Sequence, residues 1–418
     1  MVRYQTAMIP ASGENRAFQD FWEAPHRPLF LAAFLCALFT VAWWPLGVTL
    51  GVPSPAFEPA AIWHIHELIF GFAGAAIGGY LLTALPGWTA TPPVRGGLLK
   101  ALVLIWLLAR LALALSLHVP HALPILFNAG YFLLLAAILG ARLISAGSHL
   151  KLGYVFAVAA LGLGEVLFAT VALSERPWAS LTLVPAVLTG LVLLMASVGM
   201  RAIPAFTQNW FARNGQAFKI NRDAPVVQVL LVACIVMMLI GWDDMANATM
   251  ISAGMALLWV MRRWHGLSVL SDPLLAALHL AFLWLSLGLI VVGLAGLAPA
   301  IYPASDALHA ITIGGMSGLI MAVSGRAAAH TESGDMQATP GFIAGVVLIW
   351  AATWVRLAAP VFPGASLEFA AAAIWCIAWV SFVVGFLPAL TGPVRRPVLS
   401  GRRHGELTEI ITTERTGQ

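Results

Sequence analysis

Charged residues are scarce in this chain of 418 residues. Asp, Glu, Lys and Arg together make up 10% of it, whereas soluble globular domains carry about 25%. Hydrophobic residues make up 60%, so a soluble fold of this length would lack the polar surface that prevents aggregation. Soluble, disordered and fibrous proteins are therefore excluded, and lipid is the predicted surrounding of most of the chain.

Cysteine is equally scarce, and nucleotide-binding motifs are missing. The three cysteines, Cys36, Cys234 and Cys376, all lie within apolar runs. Their odd number and position exclude a disulfide framework and predict small packing residues. The sequence has no zinc-type cysteine pairs, no phosphate loop and no dinucleotide fingerprint. A nucleotide-driven pump is therefore not predicted.

Long apolar runs are what the chain has in abundance. A membrane-crossing helix needs about 20 mainly apolar residues. Twelve runs approach this length: 29–46, 65–86, 98–117, 122–144, 153–173, 181–203, 225–241, 246–264, 274–297, 306–328, 340–358 and 367–390. Barrel strands would alternate in segments of about ten residues, whereas these runs are continuously apolar. The predicted fold is an all-α polytopic membrane protein with about twelve transmembrane helices.

The basic residues predict the orientation of these helices. With the N-terminus inside, 19 of the 22 Lys and Arg residues fall in inside segments. Cytoplasmic loops carry such an excess, so both termini are predicted to be cytoplasmic. We expect a cytoplasmic segment over 1–27, a twelve-helix membrane domain over 28–391 and a basic cytoplasmic tail over 392–418.

Histidines at the start of two runs are the first candidates for function, because ionisable groups in a bilayer are costly. His64 and His66 open the second run, and His309 opens the tenth. His66 precedes Gly71 by five residues, and His309 precedes Gly314 by five, so the rings should lie at similar depth. Imidazoles at one depth suit a haem or a copper ion. A structural hydrogen bond and a proton relay remain open for each histidine.

Helical spacing separates the two neighbouring histidines. Side chains two residues apart on a helix point about 200° apart, so one metal cannot bind both His64 and His66 within a helix. Glu67 is three positions from His64 and could orient that imidazole. Met316 follows His309 by seven residues on the same face, as a soft ligand or as packing. The glycines below allow either close helix packing or space for a planar ligand.

Two further histidines are candidates for a second site. His279 lies inside the ninth run, where either a second cofactor or an inter-helix hydrogen bond would offset the cost of its burial. His330 ends the tenth run and either completes a site with His279 or lies exposed at the boundary. The other histidines lie at span ends or in loops and are expected to be solvated: His26, His118, His121, His149, His265 and His404.

Other polar residues within or beside the runs complete the candidates. Glu165 is isolated in the fifth run, so it must be protonated, paired or facing water. Glu165 and Glu67 are the candidate catalytic carboxylates of a proton path. Asp306 and Arg110 are candidates to pair. Arg201 either ends the sixth run or clamps an anion such as a haem propionate, since Arg binds carboxylates with two hydrogen bonds.

These motifs, in this order, resemble the NnrS family of bacterial membrane proteins. The resemblance covers most of the chain and rests on segments 27–30, 63–72, 81–89, 201–209 and 272–279, and on 307–331. The block Trp63–Phe72 is its most specific part. The resemblance implies a haem- and copper-containing inner-membrane protein of the nitric oxide response, associated with denitrification and with protection against nitrosative stress. It assigns no ligands, so the candidates above rest on depth and spacing.

Three functions are consistent with these features. The first is a haem and copper protein that binds nitric oxide or reduces it as an oxidoreductase. Its expected partners are nitric oxide, membrane lipid and an unidentified electron donor, and no nucleic acid is expected. The second is a transporter of copper, haem or a small anion. The third is a haem-based sensor or scavenger without turnover.

Overall fold

The computed structural model describes residues 18–52, 59–216, 225–331 and 334–399. Within them lie twelve main helices: α1 (His26–Gly47), α2 (Ala60–Thr89), α3 (Gly97–Ala114), α4 (Ala122–Ser145), α5 (His149–Ala172), α6 (Pro177–Arg213), α7 (Pro225–Leu239), α8 (Asp243–Met261), α9 (Pro273–Leu297), α10 (Ala304–Ala328), α11 (Pro340–Ala358) and α12 (Leu367–Leu390). They coincide with the twelve predicted runs, and no strand occurs in the described ranges. The predicted all-helical class is confirmed.

Ten of these helices are long and apolar enough to cross a membrane. The described part of α7 has 15 residues, too few for about 30 Å of hydrocarbon at 1.5 Å per residue. α8 begins with Asp243 and Asp244. The two helices are joined by a short turn and pack against α6 and α9. By length and composition, the described chain therefore holds ten candidate spans, and the count of about twelve stays a prediction.

The first and last helices close the bundle. Phe34 of α1 stacks on Trp379 of α12 at 5.4 Å between ring centroids. The Phe34 ring also meets Phe382 of α12 edge-on at 5.0 Å. The Trp375 indole N–H of α12 donates to the carbonyl of Ala37 at 3.0 Å. Aromatic packing and an inter-helix hydrogen bond thus join helices more than 300 residues apart.

The helices that carry His64 and His309 are the most buried of the ten candidate spans. The buried share is 72% for α2 and 67% for α10, followed by 56% for α9. Gly314 and Gly315 explain the position of α10. A Cβ on Gly314 would lie 2.6 Å from the Trp284 ring of α9, and one on Gly315 would lie 3.1 Å from the Cα of Leu285. These two glycines therefore serve close helix packing rather than ligand space.

Irregular backbone is concentrated around one end of α1, α2 and α10. Inside α1, Trp44 has extended torsion angles (φ −139°, ψ 131°). α2 widens to a π-helix over Glu67–Phe72, and α10 does so over Ala310–Ser317. Residues of all three segments line the same cavity. Such π-helical turns are frequent at functional sites, so this cavity is the first place to look for one.

Candidate metal-binding site

A cavity of about 810 Å³ lies between the first turns of α2 and α10. Its wall combines residues of α1, α2 and α6 to α12. Pockets that hold small molecules and cofactors measure about 300–1,000 Å³. This space, here called the histidine cavity, is therefore large enough for a cofactor and far larger than a single metal ion requires.

His64 and His309 both lie on this wall. The His64 ring packs edge-on against Trp44 at 5.0 Å, and its Nδ1 has no hydrogen-bond partner among the described residues. His309 Nδ1 donates to the Asp306 carbonyl at 3.1 Å, which fixes the ring and leaves Nε2 as its metal-binding nitrogen. The spacing argument from the sequence had matched His66 with His309, so the structure brings a different histidine of α2, His64, to the cavity that His309 lines.

Softer donors line the same cavity. Met316 lies on its wall together with Met238 and Met250, which the sequence did not single out. Thioether and imidazole donors suit copper. His309 and Met316 line the same cavity, as their separation of seven residues along α10 predicts.

Arg356 of α11 is the cationic residue of this wall. Its Nη1 lies 2.6 Å from Asp306 Oδ1, in an ion pair that is less than one-fifth exposed. The predicted pairing of Asp306 with Arg110 is therefore wrong, because α11 rather than α3 packs beside the start of α10. Arg356 lies within the predicted run 340–358, so its intramembrane charge was the signal that could have identified it.

His66 points away from the cavity into a buried cluster of charges. Its Nε2 lies 2.9 Å from Glu165 Oε1, and its Nδ1 lies 3.2 Å from Glu67 Oε1. An imidazole hydrogen-bonded at both nitrogens has no lone pair left for a metal. His66 therefore does not present a ligand in this arrangement, although the sequence made it a candidate.

The cluster extends across five helices. Glu67 Oε2 lies 3.4 Å from Arg110 Nη1 of α3, and Arg110 donates to Asn128 of α4. The Cys36 thiol of α1 lies 3.6 Å from Glu67 Oε2. Together with His66 and Glu165 these residues form what we call the His66 network: Cys36, His66, Glu67, Arg110, Asn128 and Glu165. Two carboxylates, one guanidinium and one imidazole make it electrically neutral when that imidazole is charged.

The predicted role of Glu67 as a partner of His64 is corrected by this geometry. The Glu67 side chain contacts His66 and Arg110, on the face of α2 opposite the cavity. Glu165 is paired, which was one of its three predicted states, while its Oε2 lacks a partner among the described residues. The two candidate catalytic carboxylates thus flank one histidine, and neither lines the histidine cavity.

Arg201 and His279 lie away from both features. Arg201 is exposed and lies beside the Tyr154 hydroxyl, so it does not reach the histidine cavity. His279 is buried, and its Nε2 lies 2.9 Å from the Thr207 hydroxyl of α6. Thr207 donates its own proton to the Ile203 carbonyl, so it accepts from His279. Of the two alternatives for His279, the structure contains the inter-helix hydrogen bond.

His330 holds the chain that follows α12. Its Nε2 donates to the Val398 carbonyl at 2.8 Å, and Arg326 Nε donates to the Leu399 carbonyl at 2.9 Å. Burial lowers the pKa of His330, and the nearby charges of Arg395 and Arg326 act in the same direction. Residues 392–399 of the predicted tail therefore pack on the bundle. His330 contacts this segment, and His279 contacts α6, so the structure does not join them in one site.

His26 departs from the expectation of a solvated boundary histidine. It is 3% exposed, and its Nδ1 has no partner among the described residues. Its neighbour Arg27 donates to the Gly392 carbonyl at 2.8 Å, and Gly392 N–H donates to Asp20. The chain after α12 thus covers the start of α1, a contact that no local pattern around His26 reveals.

The donors of the histidine cavity fit a haem or copper. Two imidazoles, one with an unpartnered buried Nδ1, face a volume suited to a planar cofactor, and thioethers lie on the same wall. Among the residues that the structure describes, those of this cavity included, no three His, Cys, Asp or Glu side chains converge as a metal-binding group.

Fold and site together define a helical membrane protein with a large cavity lined by two histidines. The chain matches the sequence model of the NnrS protein over residues 20–394, which is most of its length. It therefore belongs to the NnrS family. No curated relative matches it in sequence.

Proposed function

We propose that this chain is a bacterial inner-membrane protein that binds haem and copper in the histidine cavity and protects against nitrosative stress. Family membership supports a role in the nitric oxide response. The observation that carries the cofactor proposal is the meeting of His64 and His309 at one large cavity, with His64 Nδ1 left without a partner among the described residues.

The proposed orientation puts the histidine cavity toward the periplasm. The Lys and Arg distribution supports cytoplasmic termini. Ten spans or twelve leave both ends on the same side, so the status of α7 and α8 does not alter this inference. The cavity then lies at the outer ends of α2 and α10, and Arg326 and His330 lie toward the cytoplasm.

His64 and His309 would hold the haem, and the Met316 thioether with its neighbours Met238 and Met250 would favour copper. Haem and copper, when bound, supply a metal centre that binds nitric oxide and exchanges electrons. The chain contributes positioning: the Asp306 carbonyl orients the His309 ring, and the Arg356–Asp306 pair lies beside it.

Glu67 and Glu165 would stabilise the charged form of His66 and would not contact the bound ligand. Their carboxylates flank His66, and protons reside on its Nδ1 and Nε2 when it is charged. Because neither carboxylate lines the cavity, their expected contribution is to fix α2 and to hold a proton on the opposite face of the helix that carries His64. Reduction of nitric oxide would further require an electron donor.

Optical and EPR spectra with metal analysis test the proposal. We expect the purified protein to show a Soret band and bound copper. His64→Ala and His309→Ala should lower haem content at least about tenfold, the scale of lost metal-site interactions. His118→Ala is the matched control, because this histidine is exposed in a loop. Absence of haem and copper from the wild type would overturn the proposal. Loss of haem from His279→Ala alone would show that the haem is bound near His279 rather than in the histidine cavity.

Nitric oxide consumption with a reductant separates turnover from binding. An oxidoreductase should consume nitric oxide catalytically, and His64→Ala should abolish the activity. A sensor or scavenger should bind one equivalent and stop. Transport of copper, haem or an anion into vesicles that survives both histidine substitutions would instead support a transporter.

A further inference from the structure

A second cavity, of about 100 Å³, lies between α2, α6 and α10. Phe30 of α1 and Leu278 of α9 contribute to its wall, and Leu399 of the chain after α12 lies at its end beside Arg326. It is distinct from the histidine cavity and contains none of the candidate histidines. No sequence motif predicted it. We call it the apolar cavity.

The lining of this cavity is almost entirely hydrocarbon. Of the side chains on its wall, only Tyr80 and Arg326 carry nitrogen or oxygen. The Arg326 guanidinium lies over the Phe206 ring at 4.2 Å, and its Nε donates to the Leu399 carbonyl. A buried water needs two to four polar partners, whereas apolar cavities of about 150 Å³ stay dry and bind benzene or xenon. The cavity is therefore suited to a small apolar molecule rather than to water.

Met316 belongs to the walls of both cavities. It is 2% exposed, on the π-helical segment of α10. Methionine has three rotatable bonds and no branch, so its side chain can change conformation with little steric cost. This flexible side chain thus borders both the apolar cavity and the cavity that contains His64 and His309.

We propose that the apolar cavity binds a small apolar molecule of the diatomic-gas class and passes it to the histidine cavity through movement of Met316. The volume, the hydrocarbon wall and the shared methionine carry this proposal. The identity of the gas as nitric oxide rests on the proposed function. The existence of the apolar cavity does not rest on the proposed function, because its geometry is independent of any haem.

Xenon is the probe, because it is apolar, monatomic and visible in diffraction. In crystals of the full chain under xenon pressure, we expect xenon in the apolar cavity. Val323→Phe fills this cavity and should abolish the xenon peak, whereas Val347→Phe is the matched control at a position that is 62% exposed on α11. Ala202→Leu is a second filling variant, for use if Val323→Phe does not fold.

Three results would overturn the proposal: a wild-type cavity without xenon, a row of ordered waters in its place, or a xenon peak that persists in both filling variants. Met316→Trp tests the passage. On haem-loaded protein it should slow nitric oxide binding about tenfold or more while xenon occupancy persists, and an unchanged rate would exclude the gating role. Xenon binding without any Soret band would refute the proposed function alone, and a Soret band without xenon would refute the pocket alone.

Discussion

His64 and His66 stand two residues apart on α2 but lie in opposite environments. His64 faces a cavity of about 810 Å³ with an Nδ1 that has no partner among the described residues. His66 lies fully buried, with a carboxylate oxygen at each ring nitrogen. The rotation of about 200° between them on a helix accounts for the divergence. The same residue type therefore lines a cavity on one face of α2 and forms the centre of a hydrogen-bonded cluster on the other.

The surrounding charges follow the same division. The His66 network contains both signs of charge in direct contact, which is how buried charges are retained at tolerable cost. The histidine cavity keeps its ion pair, Arg356–Asp306, at one side and partly exposed. The His66 network is thus held by direct ion pairs, while the histidine cavity combines a large volume with an unpartnered imidazole nitrogen. The predictions below test whether stability belongs to the first region and ligand binding to the second.

Arg110→Met should have the largest effect on stability. Removal of this guanidinium leaves the two carboxylates, Glu67 and Glu165, with His66 as their shared cationic partner. Removing one partner of a buried ion pair costs about 3–5 kcal/mol of stability. The free energy of unfolding in detergent measures the loss. Arg176→Met is the control, because that arginine is exposed. A double variant with Glu67→Gln should recover part of the loss, and wild-type stability of Arg110→Met alone would show that the network is not structural.

Gly71→Ala should have the next largest effect. A Cβ here would overlap the Arg110 guanidinium and lie 3.0 Å from Cys36 Sγ. Overpacking of a filled core costs about 1–3 kcal/mol. Gly190→Ala in α6 meets nothing within 4 Å and should be neutral or stabilising by up to about 1 kcal/mol. Equal stability of the two variants would mean that Gly71 does not make space for the arginine.

The sequence predicts the helices and the depth of their polar residues, because both follow from position along one chain. This is why the ranges of all twelve helices agree with the apolar runs. The glycine spacing matched His66 with His309, but which of His64 and His66 faces the cavity depends on how α2 is rotated. The sequence does not predict which residues pair across helices. The partners Glu67–Arg110, His66–Glu165 and Asp306–Arg356 depend on how neighbouring helices rotate and pack.

Two other features had no local signal. His26 is buried because the chain after α12 returns to cover the start of α1, a contact between residues more than 360 positions apart. The apolar cavity arises where side chains of α2, α6 and α10 fail to fill the space between them. Arg110 and Arg356 differ in this respect, because their charges within predicted runs were visible. Arg110 was assigned the wrong partner, Asp306, and Arg356 was interpreted only as a topology signal.

Met316→Leu tests whether Met316, which lines the histidine cavity, is a metal ligand or only a packing residue. The exchange conserves volume and should cost less than about 1.5 kcal/mol of stability. If the thioether binds copper, copper content should fall while haem remains. Met195→Leu is the matched control, because that methionine lines the apolar cavity alone. Unchanged copper in Met316→Leu would leave this methionine with a packing role.

Arg356→Met should have the smallest effect on stability and sharpens the contrast with Arg110. The pair with Asp306 is partly exposed, and such pairs contribute about 0–1 kcal/mol. Its expected consequence is local. The Asp306 carbonyl holds the His309 Nδ1–H, so release of the Asp306 side chain should broaden the orientations of that imidazole. We expect nearly wild-type unfolding, retained haem and a changed EPR spectrum, with Arg176→Met unchanged in all three. A stability loss as large as that of Arg110→Met would show that the two regions do not divide stability from ligand binding.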